Sequence, residues 1–169
     1  MAEKKLQERY RLGFAEEMVK IFTDGACSGN PGRGGYGVIL EFNGLRKEIS
    51  EGYDHTTNNR MELWAVIAGL EALKKINLEI TIYSDSKYVV DAVSKGWLWK
   101  WEKSGFKDKK NVDLWKRFIP LFRRNKVKFV WLKGHAGHPE NERCDRLAVA
   151  ALQQPVLKKD PWPESLVEI

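Results

Sequence analysis

Cysteine is scarce: the 169 residues contain two, Cys27 and Cys144, too few for a disulfide framework and in no spacing that a metal site uses. They read as reduced, small, partly buried residues, each within three positions of an aspartate discussed below. Long apolar runs are also missing, and no span approaches the length of a membrane helix. Met1–Met18 mixes Lys4, Lys5, Arg9 and Arg11 with Glu3, Glu8, Glu16 and Glu17, so it lacks the apolar core of a signal peptide. Proline is limited to six residues, three of them at 155, 161 and 163, which makes Pro155–Ile169 a tail rather than a core element. These absences argue against a disulfide scaffold and a membrane protein, and favour a soluble cytoplasmic one. With 43% hydrophobic and 31% charged residues, the chain suits a single domain over residues 19–152, with an N-terminal extension (1–18) and a C-terminal tail (153–169).

Positive charge is unevenly spread. The net charge is +6, yet Lys95–Lys133 holds thirteen Lys and Arg against Glu102, Asp108 and Asp113, a balance of +10 that leaves −4 for the rest. The same segment contains Trp97, Trp99, Trp101, Trp115 and Trp131, five of the seven tryptophans, and Phe106. Phosphates attract the cations and bases or sugars lie on flat rings, so the segment reads as a nucleic-acid interface. Trp115 and Trp131 also suit the core, because Leu114, Phe118 and Leu121 share a helical face with the first and Val127, Phe129 and Val130 flank the second.

Two segments repeat one device. Val19–Thr23 is an apolar strand that reaches Asp24 and breaks into Gly25, Gly29, Pro31 and Gly32, and Leu78–Ser84 is a strand that reaches Asp85. Joined by a right-handed crossover, the two strands lie parallel and both carboxylates emerge at one edge of the sheet. Anions held that close resist joint ionisation, and a divalent cation relieves them. Taken singly, Asp24 fits a turn former and Asp85 fits the N-cap of a helix over Ser86–Val93.

The remaining elements follow in order. Gly35–Glu41 and Leu45–Gly52 are strands about an Asn43-Gly44 turn, giving an antiparallel meander. The glycines at 34, 35 and 37 imply a close approach. Asp54–Asn59 reads as a polar loop. Arg60–Lys75 is a helix, with Asn59 as its cap and Glu62 as the capping-box partner. That position also lets Glu62 face the sheet edge where Asp24 and Asp85 emerge. A basic excursion spans Lys95–Lys110, followed by a helix over Asn111–Phe122, a strand over Val127–Leu132 and a last helix from Pro139 or Glu140 to Leu152. Asp145 lies in the first turns of that helix. His135, in a Gly-flanked loop, can move and suits a proton carrier.

Four segments in this order carry a family resemblance: Phe-Thr-Asp-Gly-Ala-Cys-Ser-Gly-Asn-Pro-Gly at 22–32, Thr-Thr-Asn-Asn-Arg-Met-Glu-Leu at 56–63, Ser-Asp-Ser at 84–86, and Lys-Gly-His-Ala-Gly-His-Pro-Glu-Asn-Glu-Arg-Cys-Asp at 133–145. The chain resembles the ribonuclease H type 1 family over Val19–Leu152. The resemblance implies an α/β fold with a mixed five-stranded sheet, an antiparallel meander plus parallel strands, and helices on both sides. It implies an endonuclease that cuts the RNA strand of RNA–DNA hybrids, such as those formed in replication and transcription, and leaves 5′-phosphate and 3′-hydroxyl ends. By position, Asp24, Glu62, Asp85 and Asp145 would hold two Mg²⁺, with Mn²⁺ as a substitute, and His135 would assist proton transfer or product release. Cys27, Asn30, Thr57 and Asn58 would meet the substrate, as would Trp97, Lys100, Trp101, Lys103 and Trp115 of a handle-like protrusion. A monomer without a small-molecule cofactor is expected. A DNA-cutting nuclease on the same fold would share the carboxylates but not Asn58-Asn59-Arg60 and His135. A hybrid-binding module without catalysis is the non-enzymatic alternative.

Overall fold

The computed structural model describes residues 18–161, so expectations for 1–17 and 162–169 lie outside the described residues. Strands β1 (Met18–Ser28), β2 (Gly32–Phe42) and β3 (Leu45–Thr56) form the antiparallel meander. Asn43 and Gly44 turn β2 into β3 with φ of 52° and 72°, the left-handed pair that a two-residue hairpin requires. Helix α1 (Asn58–Glu71) leads to β4 (Glu79–Ser84). Helices α2 (Lys87–Ser94), α3 (Trp97–Lys103) and α4 (Val112–Arg123) precede β5 (Lys126–Trp131), and α5 (Pro139–Leu152) follows it. The sheet runs β3-β2-β1-β4-β5, with β4 parallel to both β1 and β5. This is the mixed five-stranded α/β sheet expected.

The alternation of side chains along β1 decides the two layers. Val19 and Ile21 point to one face and join Val38, Met61, Ile67, Leu70 and Phe118 in the main core under α1 and α4. Phe22 points to the other face, where it meets Ile39, Cys144 and Leu147 of α5 and stacks on Tyr83 with ring centroids 4.8 Å apart. The glycines of β2 make the close approach expected of them: a Cβ at Gly37 would stand 2.3 Å from the Cys144 carbonyl oxygen, and one at Gly35 would stand 2.4 Å from that of Ala148. Helix α5 therefore lies directly on the β2 backbone, and its first turns, carrying Asp145, are held against β1.

Several boundaries differ from the sequence reading. β3 runs to Thr56, through the stretch read as a polar loop, because it is an edge strand: Tyr53 and Thr56 are buried while Asp54 and His55 face out. Helix α1 is capped by Thr57, whose Oγ1 accepts from Arg60 N at 3.3 Å, not by Asn59. Its fourth turn ends at Glu71, short of Lys75. Trp131 is 43% exposed and not core, since it closes the edge strand β5.

The C-terminal segment also departs from expectation. Lys158 continues the sheet as a parallel bridge to Tyr53, with Lys158 N donating to Gly52 O and Asp54 N to Lys158 O, both at 2.9 Å. This seats the Asp160 side chain, wholly buried, against the start of α1. The driving group is Arg60, whose side chain has no solvent exposure. Its guanidinium donates to Asp160 at 2.7 and 2.8 Å and to Asp113, at the start of α4, at 2.9 and 2.8 Å. Thr56 Oγ1 (2.6 Å) and Trp64 Nε1 (3.1 Å) complete the donors to Asp160. One buried cation thus ties α1, α4 and the C-terminal segment together.

Removing one partner of a buried, hydrogen-bonded pair strands the other charge and costs about 3–5 kcal/mol. Asp160→Ala is expected to lose stability of that order in urea unfolding at neutral pH. Burial alone would raise the Asp160 carboxyl, but hydrogen bonds from Arg60 and Thr56 and the Arg60 charge hold it below its ordinary value. A carboxylate with a depressed folded pKa stabilises fully above its unfolded pKa of about 4 and loses that contribution as acid passes through the folded value. The gap between wild type and variant should therefore narrow as the pH is lowered.

Candidate active site

Asp24 lies within β1, not at its end as the strand reading placed it. β1 pairs with β2 as far as Ser28, but its parallel pairing with β4 stops at Phe22↔Tyr83. Beyond that pair one side of β1 is open, and Asp24 is among the first residues to border the opening. Asp85 borders it from the other side, one residue past the end of β4. It does not cap α2, because Ser86 does so through its Oγ, which accepts from Val89 N at 3.3 Å. Its carboxylate is left for another task.

Glu62 enters from α1. Gly25 makes this possible: a Cβ there would stand 2.6 Å from Glu62 N, so only glycine lets the helix come this close. Glu62 is buried and does not act as a capping box; its Oε2 finds no hydrogen-bond partner among the described residues. Asp24, Glu62 and Asp85 each offer an oxygen, and these lie within 4.8 Å of one another. Asp145, half-buried on α5, stands outside that group but adds to the electrostatic load on Asp24.

Burial, then the nearby Asp85 charge, pushes the Asp24 carboxyl up to about 8. Burial followed by the Asp24 and Asp85 charges pushes Glu62 well above its ordinary value, and burial raises Asp85. Two buried carboxyls and a half-buried one, all with elevated pKa values, and an oxygen unpaired among the described residues fit a hard divalent cation, which accepts oxygen ligands and restores full ionisation.

Around this cluster the structure gathers part of the expected substrate set. Asn30, exposed in the turn after β1, accepts from Asn58 N at 3.1 Å through Oδ1, so that turn and the start of α1 form one surface. Thr57 is the α1 cap. Cys27, partly exposed, donates its thiol to Gly29 O at 2.7 Å, and Cys144 is buried; both are free. Gly134 leaves room for the Asp85 carboxylate, since a Cβ there would stand 2.9 Å from Oδ2. His135, exposed at φ 55°, places its charge near enough to favour ionised Asp85.

The basic excursion becomes α3 and the loop to α4. Lys100, Lys103 and Lys107 are exposed, and Trp97 is 41% exposed with Lys95 Nζ 5.1 Å from its ring centre. Trp101 is half-buried, with Lys109 Nζ at 5.1 Å. Trp115 is a correction. It is fully buried, donates from Nε1 to Tyr88 Oη at 3.0 Å and packs edge-on to Trp101, so it supports the aromatic face from beneath and cannot itself meet a ligand. Sequence reasoning quoted Arg60 within a motif and gave it no role. Its one signal is its spacing of four and seven residues from Trp64 and Ile67, which puts an arginine on the apolar face of α1, two residues before Glu62.

The family model for RNase H matches residues 16–153. Relatives named Ribonuclease H from Desulforamulus reducens and Rippkaea orientalis are each 56% identical over 147 residues, covering 84% of this chain and 92% and 90% of theirs. One from Salmonella arizonae is 54% identical over 144 residues, covering 82% of this chain and 92% of its own. Among solved structures, LC9-RNase H1, a type 1 RNase H with the type 2 active-site motif, is similar at 32% identity and a TM-score of 0.72, covering 80% of this chain and 72% of that one. LC11-RNase H1, solved in complex with an RNA/DNA hybrid, is similar at 27% identity and a TM-score of 0.60, covering 79% and 96%.

The raised Asp24 pKa has a sign that can be tested. Between about pH 4 and 8 the folded chain retains a proton that the unfolded chain releases, so without metal its stability falls as pH rises through that window. Asp24→Asn should therefore raise the thermal midpoint in EDTA at pH 8 and have little effect near pH 4. Added Mg²⁺ should raise the midpoint of wild type more than that of the variant.

Proposed function

The chain belongs to the ribonuclease H family and is an enzyme of that family, and on that premise we propose that it hydrolyses the RNA strand of RNA–DNA hybrids with two divalent ions. Mg²⁺ is the proposed cofactor, with Mn²⁺ able to substitute. The observation that carries the reading is the group of three carboxylates, Asp24 and Glu62 buried and Asp85 half-buried, with oxygens within 4.8 Å of one another, one of which has no hydrogen-bond partner among the described residues.

Asp24, Glu62, Asp85 and Asp145 would hold the ions. When bound, such ions supply an activated water and stabilise charge on the leaving 3′ oxygen, which accounts for 5′-phosphate and 3′-hydroxyl products. The chain's own work is to hold the carboxylates together where a cation would ionise them and to orient the substrate. His135, exposed in its loop beside Asp85, would move a proton or help the product leave.

Selection of RNA would come from 2′-hydroxyl contacts to the backbone near Gly25–Cys27 and to Glu62. Asn30 and Thr57 would meet a DNA phosphate, and Asn58 would reach the minor groove. Trp97 and Trp101 offer ring faces to the strand, and Lys100, Lys103 and Lys107 offer charge to its phosphates. The proposed setting is a cytoplasmic monomer clearing RNA from hybrids formed in replication and transcription. Among the described residues no helix is long and apolar enough to cross a membrane.

The direct test presents one labelled strand as RNA–DNA hybrid, RNA duplex, DNA duplex and single strand, each with Mg²⁺ and with EDTA. Cutting of the RNA in the hybrid alone, and only with metal, is expected; cutting of duplex DNA would overturn the substrate assignment. Asp24→Asn should abolish cleavage while hybrid binding persists. His135→Ala should slow turnover and alter its pH profile without ending it. Replacing Lys100, Lys103 and Lys107 by Gln should weaken hybrid binding irrespective of sequence and flatten the slope of log K against log salt by up to about 3.

A further inference from the structure

Trp131 is large, apolar and 43% exposed on an edge strand, so burial does not explain a tryptophan there. Its side chain has a specific partner: Nε1 donates to the main-chain oxygen of Asp85 at 3.1 Å. β4 ends at Ser84, whose carbonyl accepts from Leu132 N at 2.9 Å as the last rung toward β5. The Asp85 carbonyl lies one residue past that rung, where the chain has left the strand, and the indole supplies its donor.

The same peptide unit is held at its other end. The N–H of Ser86 donates to Ser84 Oγ at 3.1 Å, so the plane joining Asp85 to Ser86 is fixed through both its N–H and its C=O. Fixing that plane fixes ψ of Asp85, and with it the direction in which the carboxylate leaves the backbone. The ring is held in turn by Lys87, the first residue of α2, whose Nζ lies 5.0 Å from the ring centre.

We propose that Trp131 is a positioning residue for Asp85: its indole N–H sets the peptide that aims this carboxylate at Asp24 and Glu62, and so tunes divalent-metal binding. The inference deepens the reading of the carboxylate cluster as a metal centre and rests on it. Partners one step behind a metal ligand orient it, and their loss lowers metal affinity about 10-fold or more.

Phenylalanine keeps an aromatic ring under Lys87 and removes only the donor, so W131F isolates the bond. Two measurements on the full chain test it. By calorimetry with Mg²⁺ and no nucleic acid, W131F should bind about 10-fold more weakly than wild type. In a D85N background the same change should cause no further loss, because the ligand it orients has already been removed. Hydrogen exchange of the Ser86 amide, read without metal, should be faster in W131F. Mg²⁺ titrations of W131F that superimpose on wild type, an equal loss in both backgrounds, or unchanged Ser86 exchange would each overturn the positioning role. Wild type that fails to bind Mg²⁺ would overturn the metal reading, and the proposal with it; wild type that binds, with W131F unchanged, overturns the positioning role alone.

Discussion

Arg60 carries a full charge with no access to water, and the architecture near the site follows from making that tolerable. A guanidinium in such a place needs anions in bidentate geometry. It draws them from Asp113, at the start of α4, and from Asp160, a hundred residues away in sequence. Those two contacts set where α4 lies relative to α1 and fold the C-terminal segment along β3. Arg60 is also two residues from Glu62 and three from Thr57, so the same knot anchors the turn of α1 that presents both. Stability and site geometry share one cation.

The carboxylate cluster is the opposite arrangement, in which like charge is concentrated and burial and mutual repulsion outweigh what its neighbours offset. Asp24 and Glu62 are almost fully buried and Asp85 partly so, and burial is the largest cause of the upward shift at each. A fold would discard such a cluster if stability alone governed it. It persists because rigid elements force it: β1 beyond the end of its β4 pairing, the turn after β4, and a helix brought within contact of Gly25. Among the described residues Glu62 has no cation partner, while Arg60 is given two anions, which marks the difference between a structural charge and one held for a ligand.

Much of this was legible in the residues. The repeated strand-to-Asp ending predicted two carboxylates at one sheet edge, and Asp24 and Asp85 are there. The Asn43-Gly44 turn, the close approach of glycine-rich β2 and the length of most helices were readable because each is local chemistry or simple periodicity. Other readings depended on context. Thr57 and Asn59 are both competent caps, and packing chose the first. Trp115 and Trp131 sit in similar apolar surroundings in sequence, yet one lies under the protrusion with no exposure and the other closes an edge strand. The pairing of Lys158 with Tyr53 left no trace that a Pro-rich tail would show.

By itself, then, the sequence determined the α/β class, the order of the strands and of the helices outside the excursion, the basic and aromatic character of that excursion, and that Asp24 and Asp85 come together at one edge of the sheet. These follow from side-chain periodicity, turn chemistry and charge counting, which act over a few residues. Tertiary structure alone decided that β1 outruns β4 and opens a gap, that Asp160 neutralises Arg60, and that Trp131 reaches the peptide after Asp85. Each depends on where two distant segments stop relative to one another, and neither segment carries that distance in its own residues.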